Sequence, residues 1–226
     1  MRISIAFSLI ALLLPAAAGA ADATQPHEHR GALTPFSGTP PSIELTDGDL
    51  ARLEKGKPVM VPIQDGDMGG RGMAVQDVAA APHVVWGRIV SYERYPDWVK
   101  YVDECETYEQ QGHHIKTRFV LAAFGFRYEY FIDHTYRPDR GYMTWTLDYD
   151  RQSDLDDSVG YWFVEPHPAK QGWTRLYYSV ELTLKKQMPE FIVEIATKKG
   201  LKEATSWVKR EAEEVAAQQR ARVTGG

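Results

Sequence analysis

The chain has 226 residues, which suits one domain with extensions or at most two small domains. It is 43% hydrophobic and 25% charged, as water-soluble globular proteins are, and its net charge of −5 disfavours a nucleic-acid partner. The single cysteine, Cys105, excludes an intrachain disulfide and a zinc site of several thiolates.

The N-terminus reads as a secretory signal over residues 1–20. Met1-Arg2 is a short positive region, Ile3 to Leu14 is apolar, and Ala18-Gly19-Ala20 fits the small-residue cleavage rule. The apolar run is too short for a membrane span. The expectation is cleavage after Ala20 and a periplasmic or secreted protein. Residues 21–44, rich in Ala, Pro, Thr, Gly and Ser, read as a flexible linker, and 45–222 as the folded domain.

Thr46-Asp47-Gly48-Asp49 caps a short helix that runs to Leu53. Val59 to Ile63 and Gly72 to Val78 read as strands. Pro82 opens a helix with Val85, Trp86, Ile89 and Val90 on one stripe, and Tyr95 to Val99 gives another helical turn. Strands follow at about 103–109, 113–121, 126–136, 142–149, 158–165 and 173–185. Pro189 then opens a long helix to about residue 217, with Gly200 inside it.

Period-two alternation is strongest from Phe126 to Tyr136, where Tyr128, Tyr130, Ile132 and His134 share a face. Met143, Trp145, Leu147 and Tyr149 repeat it after a turn. Leu176, Tyr178, Val180, Leu182 and Leu184 repeat it in the last strand. The opposite face, with Arg127, Glu129, Asp133, Thr144, Thr146 and Asp148, is more polar. So large an apolar face needs a cover: a helix, another sheet or a bound apolar molecule.

Val78-Ala79-Ala80-Ala81-Pro82-His83-Val84-Val85-Trp86-Gly87-Arg88-Ile89 resembles the V-x-A-P-x-x-V-W-x-x-I opening of the START-like, or SRPBCC, superfamily. Tyr92-Glu93-Arg94-Tyr95-Pro96-Asp97-Trp98 resembles its D-Y-x-x-Y-P-x-W continuation, with Ser91 where Asp is common. The order of elements matches too. The branch most similar is the polyketide cyclase/dehydrase and coenzyme Q-binding START group, over about residues 56 to 217. This implies an α+β helix-grip fold, a curved antiparallel sheet wrapped around a long C-terminal helix. Members bind lipids, sterols, quinones, plant hormones or polyketides, and a few are enzymes.

The resemblance implies a cavity between sheet and helix, and the alternation then assigns its lining. Expected ligand-binding residues are Phe119, Tyr128, Tyr130, Ile132, His134, Trp145, Leu147, Tyr178, Val180, Ile195 and Leu201, with Ile115, Thr117, Leu121, Leu182 and Ile192 alongside. Phe124 and Met188 lie in loops at the family's ligand-entry end and read as gates. Phe124 also suggests transient contact with a membrane surface.

No G-x-S-x-G, P-loop, GxGxxG or HExxH motif is present, so no cofactor and no catalytic residue is expected. His134 is the one acid–base candidate, for a cyclase or dehydratase. His27-Glu28-His29 lacks neighbours that would fix a metal geometry. The acidic run Asp148, Asp150, Asp154, Asp156 and Asp157 lacks the spacing of a calcium loop, so no metal is expected. The expected function is an exported carrier of a lipid, isoprenoid quinone or sterol-like molecule. A His134-dependent enzyme and an interaction module with a solid core are the alternatives.

Overall fold

The computed structural model describes residues 21–40, 43–66, 69–123, 125–185 and 200–224. The signal segment, Phe124, Met188, Ile192 and Ile195 lie outside the described residues.

Helix α1 (Asp47–Glu54) begins at a capping box: Thr46 N–H donates to the Asp49 carboxylate at 3.0 Å, and Asp49 N–H donates to Thr46 Oγ1 at 3.2 Å. Strands β1 (Val59–Gly66) and β2 (Gly69–Val78) form a hairpin, each longer than its apolar pattern suggests. Helix α2 (Pro82–Ile89) starts on its proline, and a 3-10 turn (Tyr92–Arg94) leads into the single turn α3 (Tyr95–Trp98).

Strands β3 (Val102–Gln111), β4 (His114–Ala123), β5 (Phe126–Arg137), β6 (Tyr142–Leu147), β7 (Leu155–Pro166) and β8 (Thr174–Leu184) follow. Helix α4 (Gly200–Thr224) closes the chain. Several further boundaries differ from the sequence reading, among them β7, which starts at Leu155 rather than 158. Strand β6 ends at Leu147 because Asp148 turns away, and α4 runs past residue 217 to Thr224. Gly200 stands at the head of the described helix.

All eight strands form one antiparallel sheet in the order β1-β2-β8-β7-β6-β5-β4-β3. Its two edges are β1 and β3. Helix α4 packs on β2 and β8, and α2 packs on α4. Gly72 of β2 lets that helix approach: a Cβ there would lie 2.8 Å from Leu201 Cδ2. Trp207, Val208 and Ala212 of α4 join Val85, Trp86 and Ile89 of α2 in the core on the concave face.

The convex face is less polar than its strands suggest. Phe131, Val120 and Tyr161 point away from α4 and are almost fully buried. Met73, Val75, Tyr161 and Tyr177 form a second core with Leu53 and Phe36, supplied from residues upstream of the sheet. The segment read as a flexible linker docks here. Asp22 and Gln152 exchange backbone hydrogen bonds at 2.9 and 3.0 Å. His27 is buried, with Nε2 at 2.8 Å from the Asp156 carbonyl and Nδ1 accepting from Ser153 N–H. Ala32 and Leu33 N–H both donate to Asp157 Oδ2.

Candidate functional site

The concave face is built from side chains that alternate along β4, β5, β6, β7 and β8, roofed by α3 and α4. Register decides who meets whom. Phe119 pairs with Tyr130 across β4 and β5, and their rings stack at 5.2 Å, nearly parallel at 3°. Trp145 pairs with Gly160 of β7, and Gly160 pairs with Val180 of β8. Glycine is required there: a Cβ would lie 2.1 Å from the Trp145 ring and 2.4 Å from the Ser179 carbonyl oxygen. The indole therefore lies across β7, stacks on Tyr178 at 5.6 Å and donates from Nε1 to Ser158 Oγ at 3.4 Å.

Tyr92 and Tyr95 come down from the opposite side. The Tyr95 hydroxyl donates to the Ile89 carbonyl at 2.6 Å, and its ring meets Trp207 at 4.8 Å. Tyr92 stacks on His134 at 5.2 Å. Between these layers lies a cavity of about 260 Å³. The cavity mouth carries Lys100, Tyr101 and Glu203. Tyr101 holds a left-handed φ of 70° and accepts from Ala122 N–H through its carbonyl, joining the mouth to the end of β4.

The walls are almost wholly aromatic and aliphatic. Burial pushes the hydroxyls of Tyr130 and Tyr178 well above the ordinary tyrosine range, so both stay neutral. His134 is the polar exception. It is buried, Thr117 Oγ1 lies 3.0 Å from its Nε2, and its Nδ1 has no hydrogen-bond partner among the described residues. Burial depresses its pKa to about 3, so the ring is neutral at ordinary pH.

Of the expected ligand-binding residues, Phe119, Tyr130, Ile132, His134, Trp145, Tyr178 and Val180 reach the cavity wall. Three do not. Leu147 is fully buried in the core beside it, Tyr128 is half-buried further along β5, and Leu201 is spent on Gly72. Ile195, Phe124 and Met188 lie outside the described residues. Tyr92, Tyr95, Tyr101, Ser158 and Trp162 are lining residues that the strand pattern alone does not reveal. The Tyr-Pro-Asp-Trp turn marks the first two as helical, but only the fold turns them inward.

No group of three metal-ligating side chains occurs among the described residues. Both His27 nitrogens are occupied, Glu28 pairs with Lys185 at 3.0 Å, and the acidic loop is consumed by local partners. Asp148, for example, accepts from the Tyr108 hydroxyl and Lys116. Cys105 is buried and its thiol is pushed up by burial, which keeps it unreactive.

The family described as "Polyketide cyclase / dehydrase and lipid transport" matches residues 78–206, more than half of the chain. The chain belongs to this polyketide cyclase/dehydrase family. Solved structures agree on the START-like helix-grip fold. A START superfamily protein from Mycobacterium smegmatis superposes with a TM-score of 0.52 at 14% identity, over 64% of this chain and 98% of that one. A protein from Thermus thermophilus gives 0.53 at 18% identity, over 65% and 98%. StfQ, a di-domain aromatase/cyclase of the steffimycin pathway, gives 0.53 at 13%; 67% of this chain covers 53% of that protein. Among curated proteins, no sequence matches. The family generally binds hydrophobic small molecules.

Proposed function

We propose that this protein is an exported carrier that encloses a compact hydrophobic molecule bearing one polar oxygen. The observation that carries this reading is an aromatic cavity whose lining includes the Tyr130 and Tyr178 hydroxyls, neither hydrogen-bonded to a described residue, together with His134, whose Nδ1 is buried without a partner among the described residues. The pocket opens past Lys100, Tyr101 and Glu203, so water wets its apolar walls, and an apolar ligand gains by burying those walls together with its own surface.

The volume narrows the ligand. Pockets for drug-sized molecules span roughly 300–1,000 Å³, so a whole sterol is too large for the enclosed space. A ring compound fits, as does the head of an isoprenoid quinone whose tail leaves past Tyr101 and Lys100. Exposed Phe126 at the neighbouring hairpin tip supports a brief membrane contact during loading.

Hydrogen-bond counting fixes what the ligand offers. The Thr117 hydroxyl is fully buried, and its one partner among the described residues is His134 Nε2. If Thr117 donates, its proton is satisfied and Nδ1 carries the remaining hydrogen. If His134 donates instead, both the Thr117 proton and the Nδ1 lone pair are stranded. The first arrangement leaves fewer groups unsatisfied, so His134 carries its hydrogen on Nδ1, and a ligand acceptor such as a carbonyl oxygen would answer this donor or the Tyr130 and Tyr178 hydroxyls of the same lining. A ring held neutral down to pH of about 3 is a weak general base, which favours binding over His134-driven cyclisation.

The test is a matched pair of ring compounds, α-tetralone and tetralin, titrated against the protein's tryptophan fluorescence. The ketone is expected to bind about five- to tenfold more tightly, the worth of one net hydrogen bond, and His134→Phe to abolish that preference. Equal binding of the pair would discard the His134 anchor. Failure of both to bind would discard the carrier reading.

A further inference from the structure

A different observation concerns Ala21, on the far side of the sheet. Its backbone nitrogen lies 3.0 Å from Asp154 Oδ1, while Asp154 Oδ2 accepts from Glu129 N–H at 2.7 Å. Asp154 is half-buried and, among the described residues, has no ion-pair partner. Its neighbours in charge are better served: Asp148 pairs with Lys116, Asp150 pairs with Arg30, and Asp156 accepts from the Thr183 hydroxyl. Asp157, also without a cation among the described residues, receives four donors: the Tyr149 hydroxyl and the N–H groups of Ala32, Leu33 and Ser158. Asp154 receives two. Burial raises its pKa, the mark of a carboxylate short of compensation.

Ala21 is not free to wander. Asp22 is clamped to Gln152 in both directions, and His27 N–H donates to the Tyr149 carbonyl at 3.0 Å. Ala18-Gly19-Ala20, the small-residue cleavage pattern, ends one residue before it. Hydrolysis of the Ala20–Ala21 peptide bond by an export-pathway peptidase consumes one water. Ala20 leaves with the carboxylate, and Ala21 keeps the amine, which takes up a proton.

We propose that this cleavage converts Ala21 into an α-ammonium that docks on Asp154, an ion pair that only the processed chain can make and that fastens the N-terminal segment across the convex face. The proposal rests on the export reading above. A backbone amide supplies one hydrogen and no charge. The ammonium supplies a full charge and up to three hydrogens at the same place, to a carboxylate that accepts only two backbone N–H groups and has no ion-pair partner among the described residues. Its sign is definite. The α-amine ordinarily titrates at about 7.7–8.0, and docking raises that value. The stabilisation is therefore present below about pH 8, fades as pH rises through the raised value, and is also lost when Asp154 is protonated in acid.

The experiment compares three proteins: the chain exported and processed by its host, a recombinant form starting at Ala21, and one with an added Gly before Ala21. Intact mass should place the exported protein's N-terminus at Ala21. The Ala21 form should melt about 4–8 °C above the Gly-extended form at pH 7, and the gap should close by pH 10. Asp154→Asn should erase the gap at pH 7. Equal melting at pH 7, or a gap that survives Asp154→Asn, would overturn the ion pair. An exported N-terminus elsewhere would overturn the processing step alone. Should Asp154→Asn fail to fold, NMR titration of the α-amine decides: a value above 8 is expected, and an ordinary one refutes the contact.

Discussion

The two faces of the sheet solve the same problem in opposite ways. On the convex face, buried polar groups are spent on one another. Asp77 accepts from Arg175 at 2.8 and 3.1 Å and from His167 at 2.8 Å, and Tyr177 donates to Glu165. The concave face carries the larger aromatic load, yet leaves an opening and one stranded nitrogen on His134. The convex face spends most of its polar groups on its own pairs, and the face that leaves room beside its polar groups is the one that can admit a ligand.

The contrast can be broken most severely from the convex side. Arg175→Met leaves the Asp77 carboxylate, 2% exposed, without its cation. A loss of about 3–5 kcal/mol is expected, read as a lower midpoint in urea with an unchanged slope. Ligand affinity of the surviving folded protein should be unaltered.

Gly160→Ala attacks the concave side. The new methyl meets the Trp145 ring and a backbone carbonyl that cannot move aside. About 3 kcal/mol of destabilisation is expected. Trp145 fluorescence should shift, and tetralone binding should vanish even in conditions where the variant is folded.

Acid sharpens the comparison with a smaller effect. The folded-state pKa of His134 is about 3, below its ordinary 6.5, so the unfolded chain binds the proton first. Stability is complete above pH 6.5 and falls as pH drops toward 3, by about 2 kcal/mol at pH 5. His134→Phe should flatten this slope in thermal melts between pH 7 and 5. His27, whose pKa is also lowered by burial, contributes in the same direction from the other face. Its protonation at Nδ1 breaks the bond from Ser153.

The concave face was legible in the sequence because period two is a local signal: Tyr130, Ile132, His134, Trp145, Tyr178 and Val180 could be placed inward from their own strands. What came from far along the chain was not. Nothing near Tyr161 announces that Phe36 will cover it, nor does anything near Phe131 announce Tyr108 and Arg151. Leu201 fits the helical stripe, but its contact with Gly72 depends on how the helix seats. Likewise Gly160 acquires its meaning only from the register that sets it opposite Trp145. Tyr92 was recognisable as part of a helical turn, while its stacking on His134 is a product of tertiary packing.

The open edge of the sheet has a consequence for the crowded solution in which the protein works. Strand β3 is an edge of the described sheet, so its outer side presents backbone groups on which a second molecule would find a template for cross-molecular strand addition. Asp103, Glu104, Glu106 and Glu109 stud that strand with exposed carboxylates. Arg118 and Arg127 pair with Asp103, Glu104 and Glu106, so this edge is lined with hydrated ion pairs, and charged side chains along an edge blunt strand addition. Colloidal behaviour is thereby written into one strand that gives the interior little beyond Val102, Cys105 and the Tyr108 ring.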